Sequence, residues 1–351
     1  MNRFSRKLTA TVTAAAALVV ILIGTDALFG GANASGAGAD RQAAQAAASP
    51  ASSGAAVSAP PRSVSSAPEE AVSSSPALPT LREESDPSVV KDPVRLKNSV
   101  CSPNAILIRL DDGAVLLDKN ARQRIYPASM TKIMTALLVS EEAPDLSKTV
   151  TIRKSLIDEM NNRDASMAGF LPDETVTGRD LLYGVLLPSG AECCVSLAEQ
   201  LESTEQNFVR SMNMRAASLG LKDTHFVNST GLHDPNHYST ARDIALLLAF
   251  ALKNDTFRQV FTTSSYTSSP TNKHPNGLSF RSTMARCLKS FKAGGATILG
   301  GKVGYTDDAG LCLASLAEYG GREYILVTAG VKDVYRGEIQ DAETVYGSLG
   351  K

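Results

Sequence analysis

Ser129 and Lys132 have the types and the spacing of a nucleophile and its base on one helix. Three residues cover almost one turn, so the hydroxyl and the amine lie on the same side. Apolar residues at 130, 133, 134, 137 and 138 form the stripe of a buried helix face. Pro127 keeps the chain from arriving as helix, so a helix is predicted to begin near Ala128 or Ser129. There the positive end of the helix dipole favours an alkoxide on Ser129. A lysine held among apolar residues can lose its proton near neutral pH and serve as the base. As a plain N-cap, Ser129 would want Glu or Gln three residues on. Lys132 opposes the dipole instead, and a locally unfavourable residue points to function. The pattern alone is not specific, because it recurs at Ser88-Val89-Val90-Lys91.

Two further stretches can carry chemistry. Pro188 and Gly190 bracket Ser189 at a sharp turn before a helix that runs to about Leu201. Taken by itself, Ser189 with Glu192 reads as a capping box, Ser-x-x-Glu, ahead of any catalytic role. Gly300-Gly301-Lys302-Val303-Gly304-Tyr305-Thr306 reads as a strand. Alternation puts Lys302, Gly304 and Thr306 on one side, and the glycines let another group approach the backbone. A fixed ammonium there attracts an anion; the other reading is a solvated lysine on an edge strand. His233 and His237 are four apart, but Pro235 and Asn236 between them oppose a helix and no glutamate accompanies them, so no metal site is expected.

Composition limits the rest. The 351 residues have ordinary apolar content and a net charge of −1, which fits one or two domains and argues against a nucleic-acid partner. The five cysteines, with Cys193 and Cys194 adjacent, lack metal-type spacing and read mostly as small buried hydrophobes; a disulfide framework is not expected. Residues 1–34 read as a signal peptide or N-terminal membrane anchor: Arg3, Arg6 and Lys7 precede an uncharged run from Leu8 to Thr25. That run approaches the roughly 18 to 20 residues needed to span a bilayer, while Ala32-Asn33-Ala34 is a usable cleavage site. Residues 35–98 are rich in Ala, Ser and Pro and read as a disordered linker, with Leu81 to Lys97 partly ordered against the domain. A stalk of this length favours an uncleaved anchor that holds the protein outside the membrane.

Residues 99–351 read as the folded domain. Asn104 to Leu110 and Ala114 to Asp118 form a hairpin around Asp111-Asp112-Gly113. Helices follow from Ser129, from Thr177 to Leu187 with Thr177 and Asp180 at its cap, over Met212 to Leu219, and from Thr240 to about Lys253. Three strands, Leu299 to Thr306, Leu311 to Glu318 and Tyr324 to Val331, precede a helix over Gln340 to Leu349. Hairpins at both ends of the domain with helices between give an α+β fold, an antiparallel sheet with helices on both sides.

Ser129-Met130-Thr131-Lys132, Pro188-Ser189-Gly190 and Lys302-Val303-Gly304-Tyr305-Thr306, with flanks such as Tyr126-Pro127-Ala128, Asn228-Ser229-Thr230-Gly231-Leu232 and Asp307-Asp308-Ala309-Gly310, resemble the three motifs of serine-type D-Ala-D-Ala carboxypeptidases. These are the low-molecular-mass penicillin-binding proteins, relatives of the β-lactamases. The resemblance covers roughly Pro103 to Gly347 and implies a five-stranded sheet of the β-lactamase/transpeptidase type. It implies a peptidoglycan stem peptide ending in D-Ala-D-Ala as substrate, β-lactams as inhibitors and no cofactor. Ser129 is implied as the nucleophile that forms the acyl-enzyme, Lys132 as its base and Ser189 as the relay towards the leaving D-Ala. Lys302, Gly304, Tyr305 and Thr306 are implied to bind substrate: Lys302 helps hold the terminal carboxylate, and the N–H groups of Ser129 and Tyr305 form the oxyanion hole.

Two positions depart from the motifs: Ala191 stands where the second usually has Asn, and Val303 where the third has Thr. Each lost partner is expected to cost about 1–3 kcal/mol, with an arginine such as Arg336 taking over the carboxylate. The alternatives are a β-lactamase, a peptidoglycan endopeptidase, or a non-catalytic cell-wall binding homologue. The chain stops soon after the last strand, without the C-terminal β-domain common in the family, so attachment is expected from the N-terminal segment, with the domain extracytoplasmic.

Overall fold

The computed structural model describes residues 79–351, apart from Glu84, Ser85, Pro87 and Pro144. The anchor and most of the linker expected from the sequence lie outside the described residues. A central sheet has the strand order Arg82–Glu83, Ala114–Lys119, Asn104–Arg109, Arg322–Val331, Gly310–Tyr319, Ala296–Thr306, Lys292–Ala293. The five long strands are those expected. A two-residue strand extends each edge, and the first of these runs parallel to its neighbour, pairing Arg82 with Ala114. The described part of the stretch read as linker therefore contains a short strand, and it also holds the helix Pro93–Ser99.

The five long strands are rich in apolar residues because both faces of the sheet are covered. On Asn104–Arg109, Ile106 and Ile108 enter one core, and Ala105 and Leu107 enter the other. The larger core packs the sheet against the helices Lys132–Glu142, Gly178–Leu186, Ala191–Glu202, Glu205–Ser218, Ala241–Ala251 and Asp255–Phe261. The smaller lies under Pro93–Ser99, Thr283–Cys287 and Gly337–Gly347.

Local signals set several helix starts. Thr177 accepts from the Asp180 N–H at 3.1 Å, and Thr240 accepts from the Asp243 N–H at 3.0 Å. The last helix starts at Gly337, three residues earlier than expected. The Ser129 element also differs from the expectation. Ala128–Thr131 is one 3₁₀ turn, and the α-helix begins at Lys132. That helix is buried over every residue from Lys132 to Val139, so it forms the middle of the helical layer and has no solvated face there.

Candidate active site

The 3₁₀ turn sets Ser129 at the mouth of the helix and Lys132 at its first residue. Lys132 Nζ donates to Ser129 Oγ at 3.0 Å and to the Thr230 carbonyl at 2.5 Å. Lys132 is buried, and burial lowers its pKa, with nearby Glu192 opposing. The adjacent thiols supply no counter-charge at neutral pH, because burial raises both, that of Cys194 to about 12. Lys302, also buried, is driven well below the usual lysine range by burial and then by the charge of Lys132. Two ammonium groups so placed disfavour each other, which helps one of them stay neutral.

Lys302 Nζ donates to Ser189 Oγ at 2.9 Å and to the Val303 carbonyl at 2.8 Å. The edge-lysine reading fails, because Lys302 has no exposed surface. The capping box at Ser189 is not formed either. The N-cap of the helix Ala191–Glu202 is Gly190, and Ser189 has φ +72°. Glu192 instead accepts from the N–H groups of Ala168 (2.7 Å) and Gly169 (3.1 Å), fastening that loop beside the helix. Ala128 is also left-handed, at φ +47°. Neither Ala nor Ser has a side chain that eases this conformation, which costs about 1–3 kcal/mol each and tends to collect at functional sites.

Ser129 and Lys132 open onto a cleft of about 470 Å³ whose walls include Tyr305, Thr306, Ala191, Thr230, Gly231 and His233. The Lys302 strand backs directly onto the Ser129 turn. A Cβ on Gly304 would lie 2.9 Å from Ser129 N, so only glycine lets the two backbones meet there. Lys302 and Ser189 are buried and are not among the residues that line the cleft. Arg336 is elsewhere: it donates to the Cys287 carbonyl at 3.4 Å and covers the ring of Tyr335. The arginine of the cleft is Arg163, next to Asp164 just after the helix Lys154–Asn162.

The two substituted positions are not equivalent. Ala191 is almost fully buried, packed with Leu156, Met160 and Val195, and reaches the edge of the cleft, so the donor usual at this position is missing there. Val303 packs against the smaller core. Val303 is not among the residues that line the cleft, so no donor is lost from its wall at 303.

His237 is no metal ligand in this arrangement. It is buried, and its Nδ1 accepts from the Val227 N–H at 3.3 Å, so the proton is on Nε2 and is donated to Thr131 Oγ1 at 2.7 Å. Burial holds its pKa at about 4. The unfolded chain titrates near 6.5, so stability is complete above that pH and is lost as pH falls towards 4, by about 3 kcal/mol. Urea midpoints at about pH 7 and about pH 4.5 are expected to show wild type losing about 2–3 kcal/mol more than His237→Asn. Among the described residues no cluster of three or more His, Cys, Asp or Glu could hold a metal ion.

Residues 90–333 match the family described as D-alanyl-D-alanine carboxypeptidase. The chain belongs to that family. It is similar to D-alanyl-D-alanine carboxypeptidase DacF of Bacillus subtilis (strain 168), 38% identical over 232 residues, covering 65% of this chain and 57% of that protein. It is also similar to a D-alanyl-D-alanine carboxypeptidase of Streptomyces sp. (strain K15), 34% identical over 231 residues, covering 61% of this chain and 75% of that one. The crystal structure of the Streptomyces K15 DD-transpeptidase superposes with a TM-score of 0.63 at 30% identity, over 71% of this chain and 97% of that one. The family's fold is therefore present here, as the motifs implied.

Proposed function

We propose that this chain is a serine D-Ala-D-Ala carboxypeptidase that removes the terminal D-Ala of peptidoglycan stem peptides. The observation that carries this reading is the 3.0 Å contact between Lys132 Nζ and Ser129 Oγ, with the lysine buried at the floor of the cleft. Ser129 Oγ attacks the carbonyl carbon of the penultimate D-Ala while Lys132 takes its proton. The N–H groups of Ser129 and Tyr305 stabilise the oxyanion. Ser189, tied to Lys302, passes a proton to the departing amine. Water then hydrolyses the acyl-enzyme. Thr306 and Tyr305, on the cleft wall, contact the peptide, and Lys302 acts on it through Ser189 and through its charge. β-Lactams acylate the same serine.

The residues before 79 attach the domain to the outer face of the cytoplasmic membrane; basic side chains ahead of an apolar run support this. No helix among the described residues is long and apolar enough to cross a membrane. Ala191 is the feature that would suit an inert binding protein; the intact Ser129–Lys132 pair favours an enzyme, slowed by that substitution.

Mass spectrometry of a diacetylated Lys-D-Ala-D-Ala peptide incubated with the protein is expected to show loss of one D-Ala, absent with Ser129→Ala. In the same assay Val303→Thr is expected to leave kcat/KM within about threefold, a change below 1 kcal/mol. A large gain would mean that position 303 faces substrate after all.

A further inference from the structure

The contact between Lys132 and the Thr230 carbonyl has a second side. In a trans peptide the C=O and the following N–H point in opposite directions. The carbonyl of Thr230 and the N–H of Gly231 belong to one peptide unit. Lys132 Nζ holds the oxygen of that unit at 2.5 Å, and Asn228 Oδ1 holds its N–H at 2.7 Å. The same Oδ1 accepts from Thr230 N at 3.1 Å and Thr230 Oγ1 at 3.0 Å, and Asn228 Nδ2 donates to the Leu232 carbonyl at 2.9 Å. Asn228 is buried. Neighbouring bonds brace the segment: Ser229 N and Oγ donate to Glu205 Oε1 at 2.9 and 2.6 Å, and Thr135 Oγ1 donates to the Ser229 carbonyl at 2.6 Å.

We propose that Asn228 is a positioning residue for the acylation step: through the Thr230–Gly231 peptide it fixes the acceptor that turns the Lys132 lone pair onto the Ser129 hydroxyl. This rests on Lys132 being the base. A carbonyl oxygen only accepts, so one N–H of Lys132 always points at Thr230. A neutral amine has two N–H groups and one lone pair; with one N–H tethered, the rotor is fixed, one of the two remaining positions faces Ser129, and the Ser129 hydroxyl donates to the lone pair placed there. The Ser129 O–H bond then breaks, its proton goes to Nζ, and the oxygen pair forms the bond to the substrate carbonyl carbon. The new ammonium keeps its bond to Thr230, now charge-assisted. Asn228, by accepting from the N–H of that peptide, polarises it and strengthens its oxygen as an acceptor.

The test is acylation by a labelled penicillin as a function of pH, on the full chain, for wild type, Asn228→Ala, Asn228→Asp and Lys132→Ala. The charged and titratable groups facing Lys132 are Lys302 of the strand, Glu192, Cys193 and Cys194 of the neighbouring helix, and His237 beyond Thr131. None is altered in the two Asn228 variants. Asn228→Ala weakens the acceptor for the ammonium, so the acid limb of the profile is expected to move to lower pH. Its plateau is expected to fall about tenfold, because the lone pair is no longer aimed. Asn228→Asp keeps an accepting oxygen and adds a negative charge, so its acid limb is expected to move to higher pH, by about half a unit or more. Opposite movements of the limb are the signature; a purely structural role lowers the rate at all pH values alike. If both variants keep the wild-type limb and lose only amplitude, the inference is overturned. Should Asn228→Ala not fold, the upward shift in Asn228→Asp decides alone. If Lys132→Ala itself acylates normally, the base assignment fails, and this inference with it.

Discussion

Lys132→Arg is expected to be as inactive as Lys132→Ala, each losing about 10²–10⁴-fold in kcat/KM for acylation. The substitution keeps the positive charge, and its side chain is long enough to reach Ser129. It removes the one property the mechanism needs, a nitrogen that can be neutral, since a guanidinium does not lose its proton in a protein. Burial favours the neutral amine at Lys132, and its neighbouring thiols are uncharged. If Lys132 served only as a fixed cation, Arg would retain much of the activity. Stopped-flow acylation by a chromogenic β-lactam separates the two, and an Arg variant within tenfold of wild type would rule out the base.

The second large effect concerns a backbone. Gly231→Ala is expected to destabilise the protein by about 2–5 kcal/mol, combining the left-handed penalty of about 1–2 kcal/mol with an overpacking term of about 1–3 kcal/mol. Gly231 has φ +83°, and a Cβ there would fall 1.9 Å from the Ala128 carbonyl oxygen, the residue before the nucleophile. Gly220 is the control. It has φ +68° with nothing within 4 Å of a Cβ placed there, so Gly220→Ala carries only the conformational part, about 1–2 kcal/mol. Thermal unfolding is expected to separate the pair by several degrees, at roughly 2–4 °C per kcal/mol. Folded Gly231→Ala is further expected to acylate slowly, because relieving the collision moves the Ser129 turn. Equal melting points for the two variants would contradict this account of the loop.

What could be read from the chain alone follows the range of each signal. Ser129 and Lys132 share one turn, and Lys302, Gly304 and Thr306 share one strand face, so their spacing suffices to align them. The hairpins flanking the helices announce the sheet, while its two-residue edge strands are too short to leave a pattern. Ser189 was ambiguous, because Ser-x-x-Glu describes a cap well. What decides it is a left-handed backbone and a partner lysine 113 residues away, neither of which is local. Val303 packs against the smaller core, a placement that its motif position does not reveal. Arg163 and Asp164 enter on a loop without periodicity, and nothing short of the fold places them beside Ser129. Arg336, offered instead, faces Cys287.

The central claim is that Ser129 becomes acylated. Incubating the full chain with benzylpenicillin, then measuring intact mass and mapping the adduct by proteolysis, tests it directly. The account expects one penicilloyl group per chain, located on Ser129 and lost in Ser129→Ala and Lys132→Ala. An adduct on another residue, or none on a correctly folded protein, would contradict it.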